Sequence, residues 1–207
     1  MLMLKCNHSG VDYPWSVKVG LDAALNAKAD VDWSNERLKI IRKIIDLNPG
    51  IEKDQAALVG KFPVFRLEDW HWNWGRKALY CGGPEYEWFY LMADNSVQAI
   101  ATIYHPKSSW LNGDDIFYID YLAVANWNRD YPDYQKRFSG VGTKLVGFCI
   151  GHAINVLKYR PGFCLHSLPG AESYYAHIGM RDLGLDSSKE DLRRYEADEK
   201  VTLALCS

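Results

Sequence analysis

The sequence predicts an α/β sandwich built on a mixed β-sheet. Three observations carry this. Two apolar, strand-like runs, 86–93 and 97–104, flank the turn Asp94-Asn95-Ser96 as the arms of a hairpin. A third run, 116–124, is longer and almost wholly apolar, as a central strand is. A helix-like run over 140–158 then opens on glycines.

The earlier elements are less sharply written. Val17-Lys18-Val19 marks a first strand over 12–20. Asp32 or Ser34 caps a helix over 35–47, with Leu38, Ile41, Ile44 and Ile45 on one face. Asn48-Pro49-Gly50 stops it, and a short helix follows over 54–59. Trp70, Trp72 and Trp74 alternate with His71 and Asn73 as on a strand face. The Ala, Leu, Glu, Arg and Lys at the ends of this stretch favour a helix over 67–79. Cys81-Gly82-Gly83-Pro84 is a break. After the hairpin come a polar loop over 105–114, the central strand and a polar, aromatic loop over 125–136. The glycine-led helix, a strand over 163–167 and a helix over 171–178 follow. One or two final strands are expected over 193–205.

Composition bounds the function. At 207 residues and 48% apolar content, a single domain with its own core is expected. A net charge of −2 argues against a general nucleic-acid footprint. No apolar run is long enough to span a membrane, and the start is too short to be a secretory signal. Five scattered cysteines read as reduced thiols of a cytoplasmic protein. Cys149, His152, Cys164 and His166 lack the close Cys-x-x-Cys spacing of a zinc site, so no metal is expected.

The most informative stretch is Arg137-Phe138-Ser139-Gly140-Val141-Gly142. It joins a strand to a helix. Glycines there let backbone N–H groups turn toward an anion, the helix start adds unpaired donors, and Arg137 adds a permanent cation. These are the parts of a diphosphate cradle. A dinucleotide fingerprint would need glycine where Leu145 stands. A triphosphatase loop would need Gly-Lys-Ser/Thr, whereas the order is Gly142-Thr143-Lys144.

The stretch matches Arg/Gln-x-x-Gly-x-Gly/Ala, the acyl-CoA loop of the GNAT family of N-acetyltransferases. Residues Ala171-Glu172-Ser173-Tyr174-Tyr175-Ala176-His177-Ile178-Gly179-Met180 resemble the family's later motif, Ala-x-x-Phe-Tyr-Glu-Lys-x-Gly-Phe. The chain therefore resembles this family over roughly 85–207. The resemblance implies one domain over 1–207, with 85–207 as the cofactor-binding core and 1–84 contributing to the acceptor site. It implies a mixed, largely antiparallel sheet, splayed where two neighbouring strands part to admit acetyl-CoA. The strand backbone at Leu122, Ala123 and Val124 then pairs with the pantetheine arm. Arg137, Phe138, Ser139, Gly140, Val141 and Gly142 hold the pyrophosphate, with Thr143 and Lys144 adding a hydroxyl and a charge.

The chain also departs from the pattern. Asn126 stands at the family's proline, Leu168 at its asparagine, and an insertion over 126–134 forms a candidate lid. By motif position Tyr175 is the acid for the departing thiolate. Asp120 falls where many members carry Glu and is the candidate base; strand alternation puts it on one face with Leu122 and Val124. The implied activity is transfer of acetyl to a primary amine, by direct attack in a ternary complex. The acceptor is expected to be a small molecule, with Trp70, Trp72, Trp74 and Trp110 and the acids Glu68, Asp69, Asp114 and Asp115 suiting a cationic amine. The alternatives are a protein N-terminal or lysine acetyltransferase and a non-catalytic acyl-CoA-binding module. Relatives commonly form homodimers through their final strands.

Overall fold

The strands are β1 (Met3–Lys5), β2 (Asp12–Val19), β3 (Tyr86–Ala93), β4 (Ser96–Ser108), β5 (Asp115–Val124), β6 (Phe163–Ser167), β7 (Arg181–Asp186) and β8 (Leu192–Ala197). The helices are α1 (Ala23–Leu47), α2 (Gln55–Gly60), α3 (Trp74–Ala78), α4 (Val141–Asn155), α5 (Glu172–His177) and α6 (Glu199–Leu205). These come from a computed structural model that describes residues 2–206. All strands lie in one sheet, ordered β1-β2-β3-β4-β5-β6-β8-β7. Neighbours run antiparallel except β5 and β6, which are parallel.

Both faces of the sheet are covered. Phe89 and Leu91 of β3 join Val141, Leu145, Cys149 and Ile150 of α4 in one core. Trp88 and Tyr90, on the opposite face of the same strand, join Ala29 and Trp33 of α1 and Trp74 of α3. This double burial is why β3 reads as a continuous apolar run rather than an alternating one. A third cluster, Ile40, Ile44, Phe62, Phe65 and Leu67, seals the far end of α1.

Two irregularities create the site. First, β5 and β6 pair only at Phe117↔Phe163, Tyr118↔Cys164 and Ile119↔Leu165. Beyond Ile119 the two strands part: β5 runs on to Val124, while β6 continues alongside β8 as far as Ser167↔Arg193. Second, Thr102 pairs with Tyr121 and Ile103 with Ile119, which leaves Asp120 as the extra residue of a β-bulge. The bulge reverses the alternation. Phe117, Ile119, Leu122 and Val124 all face the α4 core, whereas Tyr121 and Ala123 face α1 and α3. Simple alternation, which would group Asp120 with Leu122 and Val124, therefore fails at this point.

Other expectations are also corrected. The first long helix starts at Ala23, capped by Asp22, not near residue 35. The helix expected over 67–79 is only α3; Asn73 caps it, and both Asp30 carboxylate oxygens accept its first amides. The expected loop over 105–114 is partly strand, because β4 reaches Ser108. The glycine-led helix ends at Asn155, and Lys158 lies beyond it with φ 64°. The end of the chain is β8 followed by α6, not two strands; Asp198 accepts from Val201 N and starts the helix. Strands β1 and β7 had no counterpart in the sequence reading.

Candidate functional site

The parting of β5 from β6 leaves one edge of β5 without a strand partner. Ala125 N donates to Gln98 O at 2.9 Å. In an antiparallel ladder this makes Ala123 and Tyr121 the residues that bond toward β4, so the N–H and C=O of Leu122 and Val124 turn outward. Val124 O is already taken: Arg129 Nε and Nη2 donate to it at 3.0 and 2.6 Å. The other outward groups have no partner among the described residues.

Arg129 belongs to the insertion, which is anchored rather than loose. Its guanidinium makes a two-pronged pair with Asp69, both contacts at 2.6 Å, and also reaches Arg66 O. Gln98, fully buried, accepts from Trp127 Nε1 at 2.7 Å and from Asn128 Nδ2 at 2.9 Å. Asn128 Oδ1 in turn accepts from Phe138 N. Arg137 N donates to Trp127 O, and Asn7 N to Arg137 O. Through this chain of bonds the β4 core fixes the approach to Gly140.

Gly140 has φ 71°, a left-handed conformation suited to glycine, and no side chain caps the helix it starts. The first amides of α4 are thus left for a ligand. A Cβ on Gly142 would stand 3.4 Å from Val124 Cγ1, so the helix start lies close against β5. Between them is a cleft of ≈ 440 Å³. Leu122, Ala123, Val124 and Phe138 line it, as do Gly140, Val141, Gly142 and Thr143.

Three expected residues do not line this cleft. Arg137 pairs with Asp94 and lies over the rings of Tyr13 and Phe138. Ser139 Oγ accepts from Asn7 Nδ2 at 3.0 Å. Lys144 reaches back over Trp15. Lys136 does line the cleft, where it pairs with Asp130 at 2.6 Å.

A second hollow of ≈ 160 Å³ adjoins the first. The two share Leu122, Leu168, Ala171 and Tyr175. Tyr175 is 7% exposed, packed between Tyr174 and Tyr195 at 5.3 and 5.8 Å between ring centroids. Burial pushes its phenol above the usual tyrosine value, so it stays protonated. Its neighbour Tyr174 is occupied by Thr143 Oγ1 at 2.9 Å.

Asp120 opens into the second hollow. Cys81 Sγ donates to Oδ2 at 3.6 Å. Burial raises the carboxyl above its ordinary value, against the opposing pull of that hydrogen bond, Lys189, Lys77 and His166. Nearby His166 bridges Tyr118 at 2.9 Å and Asp186 at 3.0 Å, and burial holds its pKa down. Lys77 was not singled out in the sequence. Its ammonium lies 3.2 Å from the Tyr121 ring centroid and 4.2 Å from that of Trp72, and burial lowers it to about 8. No local pattern announces it; only the fold brings α3 over β5.

The four acids expected beside the acceptor are not gathered at one place. Glu68 and Asp69 line the first cleft. Asp114 pairs with Arg160, and Asp115 is exposed at the start of β5. No group of three or more His, Cys, Asp or Glu side chains is arranged to hold a metal ion among the described residues. No helix among them is long and apolar enough to cross a membrane.

No family model matches the sequence, and no curated protein matches it. Solved structures share its outline. A Desulfovibrio desulfuricans protein assigned to the GNAT family of acetyltransferases is 12% identical, with a TM-score of 0.49 over 90% of this chain and 99% of that one. The PaiA N-acetyltransferase of Thermoplasma acidophilum, in complex with coenzyme A, is 10% identical, with a TM-score of 0.48 over 88% and 99%. A chain of the KacTA–DNA complex is 14% identical, with a TM-score of 0.49 over 93% and 98%.

Proposed function

We propose that the chain transfers the acetyl group of acetyl-CoA to the primary amine of a small molecule, by direct attack with both substrates bound. One observation carries the reading: two clefts, one walled by an uncapped helix start and an open strand edge, meet at the buried hydroxyl-bearing ring of Tyr175.

The residues present fit coenzyme A. Amides from Gly140 to Thr143 suit a pyrophosphate, because a helix start offers several N–H groups and a partial positive charge at once. Leu122 offers its N–H and C=O to an extended amide-bearing arm, as a sheet edge does to an added strand, while the carbonyl of Val124 stays with Arg129. When bound, acetyl-CoA supplies an activated acyl carbon. The chain's own groups then have three tasks. Asp120, directly or through water, takes a proton from the ammonium of the acceptor. Val124 N–H, which points outward, polarises the acyl oxygen. As the freed amine forms the C–N bond and the C–S bond breaks, Tyr175 gives its phenolic proton to the sulfur and regains one from the attacking nitrogen, so that amide, thiol and neutral phenol remain.

Asp120 sets a pH limb. Its carboxyl must be ionised to accept a proton, and its raised pKa means the ionised fraction falls already above the ordinary carboxylate range. The groups facing it include Cys81, Lys77, Lys189 and His166, with the phenols of Tyr86, Tyr118 and Tyr121. Activity is expected to drop as pH falls through that raised value, and Asp120→Asn to lower kcat and flatten the limb. An unchanged pH profile of kcat in the variant would remove Asp120 from the reaction.

The cradle is tested by Gly140→Asp. A carboxylate there faces the pyrophosphate, and like charges brought together cost several kcal/mol. Calorimetry should show coenzyme A affinity down by about tenfold or more. Gly140→Asn imposes the same left-handed backbone without the charge and should retain most of the affinity. Equal, undiminished binding by both variants would refute the cradle.

A further inference from the structure

We propose that the acceptor amine carries an anionic group, carboxylate or phosphate, held by Arg76, Lys77 and Lys189 beyond the transfer point. This deepens the acetyl-transfer reading and rests on it.

A third cleft, of ≈ 490 Å³, adjoins the hollow that contains Asp120 and Tyr175. The two share Trp72, Tyr121 and Lys189 among their walls. Arg76, Lys77 and Lys189 line this cleft against a single carboxylate, Glu190. Among the described residues, none of the three cations forms a salt bridge, although Lys28, Lys39, Lys43, Lys136, Arg129, Arg160 and Arg193 all do. Lys77 and Lys189 also face Asp120 in the adjoining hollow, so three cations stand against two carboxylates, a local positive excess in a chain of net charge −2.

Lys77 sharpens the point. Its ammonium is half-buried between Trp72 and Tyr121, and the loss of water is what lowers its pKa. Ring faces offset part of that loss. An anion arriving in the cleft would offset the rest and balance the remaining positive charge. Trp72, Tyr80 and Tyr121 add flat apolar walls. The matching acceptor therefore has an amine at one end, a planar or apolar middle, and a negative group that reaches Arg76 and Lys189.

Three related amines test this: tyramine, tyrosine and tyramine phosphate. Thiol release from acetyl-CoA is measured with each, on the full chain and on Arg76→Gln/Lys189→Gln, whose exposed side chains hold no ion pair. One or both anionic amines should exceed tyramine in kcat/KM by about tenfold or more, as a charged hydrogen bond provides. The one that does names the group. In the double variant that preference should vanish while calorimetric affinity for coenzyme A stays as in the parent. Equal use of tyramine, or a preference that survives both substitutions, would overturn the proposal. Should no amine release thiol, the acetyl-transfer reading falls separately. Calorimetric binding of tyramine phosphate then decides the anion site: loss of binding in the double variant supports it, and no binding to the parent overturns it.

Discussion

Tyr175→Phe is expected to lower turnover by ~10²–10⁴-fold, the contribution of a positioned proton donor. Coenzyme A affinity should remain as in the parent protein, because the ring itself stays between Tyr174 and Tyr195. No other described side chain hydrogen-bonds the lost hydroxyl, so the melting temperature should hardly move. The loss should fall on kcat rather than KM, since the donated proton matters only as the C–S bond breaks. Tyr174→Phe is the control. It forfeits the bond to Thr143, worth about 0.5–1.5 kcal/mol of stability, and should leave kcat nearly intact. A Tyr175→Phe protein with full kcat on its best amine would mean that another group, or water, protonates the sulfur.

Asp69→Ala is expected to cost about 3–5 kcal/mol of folding stability, as breaking a buried pair from one side does. Asp69 is 7% exposed, and Arg129 keeps its charge in any accessible pH range. Truncation leaves that guanidinium buried with carbonyls as its hydrogen-bond partners and only the more distant charge of Glu68. Urea titration should show a lower midpoint with an unchanged slope. Replacing both partners by Leu should recover a substantial part of the loss. The pH dependence has a definite sign. Burial works to raise the Asp69 carboxyl, but the charge and hydrogen bonds of Arg129 outweigh it, so its pKa lies below the ordinary value. The stabilisation is therefore complete above the ordinary carboxylate range and is lost as pH falls through the depressed value. Asp69→Ala should lose this acid-sensitive component.

The elements that wall the first cleft were legible because their signals are local. The strand over 163–167 matches β6 residue for residue, being a short apolar run between turn residues. Gly140 betrayed the helix start because only a residue tolerant of positive φ serves there. The first half of α1 was missed for a physical reason: its acids do tertiary work. Asp30 caps α3 at 2.7 and 2.9 Å instead of decorating a solvent face. The tryptophan stretch defeated periodicity because its rings pack on one another. Trp74 stands edge-on to both Trp33 and Trp88, and Trp72 to Tyr121. Residues 199–205, with Val201 and Thr202, suggest strand, yet the Asp198 cap and the Thr202 hydroxyl bond to Asp198 O start a helix. Around the third cleft only Trp72 had been singled out for the acceptor. Arg76 and Lys189 come from distant parts of the chain, and no spacing rule links them. The strand face assigned to Asp120 was misread, since a bulge leaves no mark in an otherwise regular strand.

The Arg129 fork on Val124 has a consequence for the health of the chain in a crowded cell. An unpaired strand edge is a template on which other polypeptides can add, and long exposed edges seed fibrils. Here the edge is kept short: β6 covers one end, and a permanent cation stops the other at the last carbonyl of β5. What remains open is the short stretch around Leu122, too little for a foreign ribbon to add to.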